Sequence, residues 1–176
     1  PFAHTPSFVG SHITGYDNML KSILTNLTKD KKAETTNGKF NFNLGFDPYI
    51  GNIRELKRIL GLFGIDYTIL SDNSDTFDSP NTGEFKMYNG LTLLEEAADS
   101  INAEGTFFFQ KYTTPKTQET INKDWEQKTY NFRPFCIKGT DEFLMNLSAV
   151  TGKPIPQELQ QERGRAVDAL TDSQAW

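Results

Sequence analysis

The chain has 176 residues, 36% hydrophobic and 23% charged, with a formal net charge of -5. That is length enough for one buried core in a water-soluble globular composition, and the charge argues against a nucleic-acid surface, which needs clustered Lys and Arg. No run approaches the roughly 20 apolar residues of a membrane span, no signal peptide is legible, and a single cysteine, Cys136, leaves no disulfide framework and points to a reducing, cytoplasmic setting.

The sequence opens at Pro1 without an initiator Met and closes at Trp176 in what reads as a helix end, so it is expected to be an interior piece of a larger subunit. Residues 1–13 carry no periodicity. Thr14 and Asp17 then have capping-box spacing, and Met19, Leu20, Ile23, Leu24 and Leu27 fall on one helical face. The polar run 29–38 breaks the pattern and reads as a linker.

Short apolar runs then alternate with amphipathic helices. A strand at 40–44 leads through Gly45 and Gly51 to a helix capped by Asn52 and Glu55, with Ile53, Leu56, Ile59, Leu60 and Phe63 on its apolar face and Gly64 at its end. A strand at 65–70 and a polar loop at 71–90 precede a helix with Thr92 and Glu95 at capping-box spacing. The next strand, 106–110, contains three consecutive Phe, which suits burial on both faces. Thr114 and Pro115 open another helix, with Pro at the first helical position, where its missing N–H costs nothing. A strand at 130–135, a helix capped by Thr140 and ended by Gly152, and a last helix entered after Pro154 and Pro156 and running through Leu159, Val167 and Leu170 complete the order.

Strands and helices alternating at this spacing need crossover connections, so the strands run parallel with helices on both faces. The expected fold class is α/β: a Rossmann-like, four-stranded parallel sheet flanked by helices. Its expected parts are a loop, helix and linker at 1–38, the α/β domain at 39–152, and a helix at 153–176 leading to a neighbouring domain.

Ligands of such sheets sit beyond the carboxyl ends of the strands. No Gly-x-Gly-x-x-Gly follows any strand, and Gly45 and Gly51 lack phosphate-binding spacing, so they read as turn residues. One cysteine cannot make an all-thiolate iron–sulfur site within this chain, and Cys136 reads as a packed or partly exposed thiol. His4 and His12 lack a spaced third ligand and are taken as packing or outer residues. Asp72, Asp75 and Asp78 lack the alternation and Gly of a calcium loop and read as a solvated turn. Asp168 and Asp172, four apart on the last helix, project from one face, where two like charges cost a few tenths of a kcal/mol, roughly, unless a cation sits between them. On the pair alone a solvated acidic face is the simpler reading, as a loop hydroxyl is for Ser7.

The opening run PFAHTPSFVGSHITGYDNM, Pro1 to Met19, resembles the β subunits of molybdenum–iron nitrogenases almost residue for residue. The likeness continues through RELKRIL at 54–60, TDEFLM at 140–145, GKPIP at 152–156 and ERGR at 162–165, in family order. It covers the whole chain, and residues 107–135 depart most from the family pattern. The run around Ser7 favours the molybdenum type over the vanadium and iron-only relatives. A non-catalytic cofactor-assembly scaffold of the same fold is the alternative, separable by the cluster cysteines expected upstream.

The resemblance implies an enzyme subunit in nitrogen fixation, active only in its complex. It implies an α subunit and a second β subunit in an α2β2 tetramer, an ATP-hydrolysing iron protein as electron donor, and no nucleic-acid or membrane partner. The implied cofactors are the 8Fe-7S P-cluster shared between α and β, the iron–molybdenum cofactor held in the α partner, and a structural calcium or iron cation. Ser7 falls on the family's oxygen ligand to a P-cluster iron. A hard alkoxide favours more oxidised iron and a bound cation lowers a hydroxyl's pKa, so ligation couples electron loss to proton loss. Asp168 and Asp172 match carboxylates that help bind the cation between β subunits. No residue here is implied to be catalytic.

Overall fold

A computed structural model describes residues 3–6, 8–34, 36–76, 83 and 91–174. In chain order the elements are α1 (His12–Leu27), β1 (Phe40–Asn43), α2 (Ile50–Phe63), β2 (Tyr67–Ile69), α3 (Leu94–Asp99) with a 3-10 turn (Ser100–Asn102), β3 (Gly105–Phe108), α4 (Pro115–Lys123), β4 (Thr129–Asn131), α5 (Cys136–Thr151) and α6 (Gln157–Gln174). The four strands form one parallel sheet in the order β2-β1-β3-β4, as the alternating pattern requires. Among the described residues no helix is long and apolar enough to cross a membrane.

Every residue of β1 and β3 is buried, so both faces of the sheet centre are covered. Alternation along the strands sorts their side chains. Phe40, Phe42, Phe107 and Phe109 belong to one cluster with Ile53, Leu56, Leu60 and Phe63 of α2 and Phe143, Leu144 and Leu147 of α5. Phe107 is its centre, stacked on Phe42 at 5.0 Å and on Tyr130 at 4.8 Å between ring centroids. Phe108 joins the other cluster with Leu20 and Leu24 of α1, Leu70, Ile101, Ile121 and Trp125. The three consecutive Phe thus serve two cores, as a strand buried on both faces requires.

The run 40–44 is less apolar than its core role suggests, because Asn41 and Asn43 are fully enclosed. Asn41 Nδ2 donates to the Ser100 carbonyl at 2.8 Å, and Gln127 Nε2 donates to the Ser100 and Ala103 carbonyls at 3.0 Å each. These amides satisfy carbonyls of the 3-10 turn, groups that are costly to bury unpaired.

Several expected caps lie elsewhere. Helix α1 starts at His12, so Thr14 and Asp17 do not box its N-terminus, and Asp17 faces α4 instead. Helix α2 starts at Ile50; the turn before it is organised by Asp47, which accepts from Tyr49 N at 2.9 Å and Asn52 Nδ2 at 2.7 Å, while Glu55 pairs with Arg58. Before α3 the carboxylate accepting from the Leu93 N–H is Glu96, at 2.9 Å, and Thr92 Oγ1 donates to the Ile69 carbonyl. Helix α5 begins at Cys136, which places Thr140 inside it. Gly64 and Gly152 do end α2 and α5 in the left-handed conformation, with φ of 62° and 69°. Strand pairing is shorter than the runs at 65–70 and 130–135, and the polar run 29–38 is tied down: Asn37 N donates to the Asn102 carbonyl at 2.9 Å and its amide to Asp99 Oδ2 at 2.7 Å.

Among the described residues, helix α6 is anchored by its first turns. Leu159 enters the main core, Arg58 bridges Glu158 at 3.2 Å and Glu162 at 2.7 Å, and Arg163 meets Asp141 at 2.8 Å. Every residue from 163 to 174 is exposed.

Candidate functional site

The loop after β1 carries Phe46, whose ring lies 4.8 Å from that of His12 and 5.8 Å from that of Tyr16. The first turn of α1 therefore sits at the carboxyl end of the sheet, where α/β folds place their ligands. Gly10 packs so closely on this turn that a Cβ there would stand 2.6 Å from Thr14 Oγ1. His12 is exposed and rests one side of its ring against Phe46.

Ser7 lies outside the described residues. Its described neighbours His4, Thr5, Pro6, Phe8, Val9 and Gly10 are all exposed, with Phe8 at 105% and Val9 at 66% of full exposure, and Phe8 has a φ of 64°. Burying a Phe contributes about 1.5–3 kcal/mol relative to leaving it in water. Phe8 and Val9 thus form an exposed apolar pair, and exposed apolar surface has the character of a contact surface.

The sequence of this run offers the hydroxyls of Thr5, Ser7 and Ser11 and the imidazoles of His4 and His12, and no thiol. Cys136 is exposed at the start of α5, and among the described residues no three His, Cys, Asp or Glu side chains are grouped to hold a metal. The described residues of this run supply imidazole and hydroxyl donors and no thiolate. They do not form a complete site.

Asp168 and Asp172 lie on the exposed part of α6, flanked by Val167 and Leu170, which are 39% and 54% exposed. Among the described residues neither carboxylate has an ion pair or hydrogen bond. The pair therefore sets two hard oxygen donors one turn apart beside exposed apolar side chains.

The acidic loop differs from its reading as a solvated turn. Asp72 is an ordered partner of Lys57 at 2.7 Å, its side chain 7% exposed, and also accepts from Ser74 N. Asp75 pairs with Arg54 at 3.3 Å, so the start of this loop is latched to α2. Asp78 lies outside the described residues.

At the switch point of the sheet, where the loops after β1 and β3 diverge, there is little room for a ligand. Gly45, with φ of 77°, is pressed against Gln110 and Thr113, and a Cβ would meet Thr113 Oγ1. The remaining crevice is about 230 Å³, lined by Leu44, Leu56, Phe109 and Phe143 with Gln110 and Phe135 at its side. Turn chemistry is thus the outcome for Gly45.

Comparison with known proteins gives a consistent result. Residues 1–176 match the family described as nitrogenase component 1 type oxidoreductase. The nitrogenase molybdenum-iron protein beta chain of Nostoc sp. strain PCC 7120 is 67% identical over 176 residues, covering 100% of this chain and 34% of the relative. The corresponding protein of Crocosphaera subtropica is 66% identical, with the same coverage of 100% and 34%. That of Bradyrhizobium diazoefficiens is 48% identical, covering 99% of this chain and 35% of the relative. The solved structure "Nitrogenase Cp1 at pH 6.5" superposes with a TM-score of 0.88 at 35% identity, covering 98% of this chain and 38% of that one. The chain spans about a third of the length of the curated relatives it matches.

Proposed function

The chain belongs to the nitrogenase component 1 type oxidoreductase family, and from that premise we propose that it is part of the β subunit of a molybdenum–iron nitrogenase, a cytoplasmic enzyme of nitrogen fixation. The observation that carries this reading is the identity to curated molybdenum-iron beta chains, which runs the full length of the chain. In the complete α2β2 assembly the β subunit holds the 8Fe-7S P-cluster jointly with the α subunit. The cluster supplies single-electron relay from the ATP-hydrolysing iron protein to the iron–molybdenum cofactor of the α subunit, where dinitrogen is reduced.

Within that assembly Ser7 is the oxygen ligand to one cluster iron. The exposure of Phe8 and Val9 supports a run that is covered by a partner. With the cluster bound, Ser7 would offer it a hard oxygen and would give up its hydroxyl proton on ligation, which would tie proton release to electron release. Asp168 and Asp172 contribute carboxylates to a calcium or iron ion between β subunits, supported by their exposure and by the lack of intrachain partners among the described residues. The division into 1–38 at the cluster interface, 39–152 as the α/β domain and 153–176 as a connecting helix completes the proposal.

This chain alone holds no P-cluster and reduces no dinitrogen, because Cys136 is its only thiol. Iron and acid-labile sulfide in the full-length protein test the reading. Cluster-level iron in a tetramer with an α partner supports it, and an iron-free β-length polypeptide without that partner overturns it.

A further inference from the structure

Beyond β3 and β4 the chain forms a cleft of about 690 Å³. One wall is the loop after β3, where Lys111 Nζ lies 5.5 Å from the centroid of the Tyr112 ring; the other is the loop after β4, where the Arg133 guanidinium lies 5.4 Å from the Phe135 ring. Tyr112 is 84% and Phe135 59% exposed. On α5, Glu142 lines the cleft, and Met145, one turn on, is 64% exposed.

Lys111 and Arg133 both line the cleft. In a chain of net charge -5, Arg54, Lys57, Arg58, Lys123 and Arg163 each have a carboxylate partner. Among the described residues Lys111 and Arg133 have none, as is also true of Lys29, Lys32, Lys128 and other exposed cations, but these two line the cleft, and the Glu142 carboxylate pairs with neither. A guanidinium laid over a ring keeps its N–H edge free for a bidentate carboxylate. Two such cations on facing walls present a positive mouth to an acidic group.

The exposed rings decide what bears that group. A small anion would leave Tyr112 and Phe135 wet, whereas a protein segment covers them, and Tyr, Phe and Arg are among the residues enriched in interface cores. We propose that this cleft docks a carboxylate-bearing, partly apolar segment of the same subunit lying outside residues 1–176. The proposal rests on the β-subunit reading, in which two thirds of the polypeptide lies beyond this chain, the relatives being covered over only 34% of their length. The carboxyl end of a parallel sheet is also where α/β proteins place ligands, and such sites favour domain boundaries.

The test uses the full-length protein in its native tetramer. Lys111 is expected to react with a water-soluble amine-acylating reagent about tenfold more slowly than exposed Lys32. Zero-length carbodiimide coupling, read by peptide mass spectrometry, is expected to join Lys111 to an Asp or Glu of the same polypeptide outside residues 1–176. Acylation of Lys111 as fast as Lys32, or coupling instead to the α subunit, a second β copy or Glu142, overturns the proposal. Iron content is read on the same sample. A fully iron-loaded tetramer with a freely reacting Lys111 defeats the docking alone. An iron-free polypeptide defeats the β-subunit reading, and Lys111 in it still reports on docking because the remaining chain is present.

Discussion

The carboxylate of Asp17 in α1 caps α4: its Oδ1 accepts from Thr117 N at 3.0 Å and Thr117 Oγ1 at 2.7 Å, and its Oδ2 accepts from Lys116 N at 3.0 Å. Asp17 is 3% exposed. The first N–H groups of a helix have no intrahelical partner, and a buried negative oxygen at the positive end of the helix dipole satisfies two of them together. This cap ties α1 to the start of α4.

Asp17→Ala leaves those donors buried and unpaired, with an expected loss of about 2–3 kcal/mol of stability. Asp17→Asn keeps one acceptor oxygen and should lose less. Urea denaturation of the 176-residue chain reads both; an Ala variant within experimental error of the parent would show that the cap contributes nothing.

Tyr16, packed beside Phe46, has a phenol pKa raised above its ordinary value, chiefly by burial, with the Ser71 hydrogen bond opposing and the Asp17 charge adding. Because the folded value is the higher one, the unfolded chain ionises first as pH rises. This contribution is intact below about pH 10 and is lost above it. Tyr16→Phe should therefore flatten the alkaline decline in stability. An alkaline limb of unchanged slope would mean that another group sets it.

Asp168→Asn combined with Asp172→Asn in the full-length protein should remove one bound cation per β subunit and loosen the tetramer. Electron relay within each αβ half should persist, since the site contributes to assembly. Metal analysis and sedimentation are the readouts, and a double variant equal to the parent in both returns the pair to solvent.

The architecture was legible where local pattern and packing agree. Alternating apolar runs gave the parallel sheet, the three Phe at 107–109 gave a strand serving two cores, and Gly64 and Gly152 gave two helix ends. Caps were the weak point, because a side chain's hydrogen bonds follow tertiary proximity as readily as sequence spacing. Asp17 has capping-box spacing in its own helix yet bonds to α4, exactly one hundred residues from Thr117 by sequence. Asp72 reads as solvent-facing until the fold brings Lys57 to it. The candidate site was legible only through the match of long residue runs to a family, since a lone Ser and an acidic pair carry little signal. The Lys111 and Arg133 cleft went unread because its walls come from two loops that only the sheet brings together.

The central claim is that Ser7 is an oxygen ligand whose deprotonation accompanies cluster oxidation. The direct measurement is the P-cluster oxidation midpoint as a function of pH in full-length protein carrying Ser7→Ala, beside its parent. The account predicts that the reduced cluster still assembles with normal iron content, that the parent midpoint falls as pH rises, and that the variant midpoint is shifted and loses this dependence on pH. A variant whose midpoint tracks the parent at every pH would contradict it.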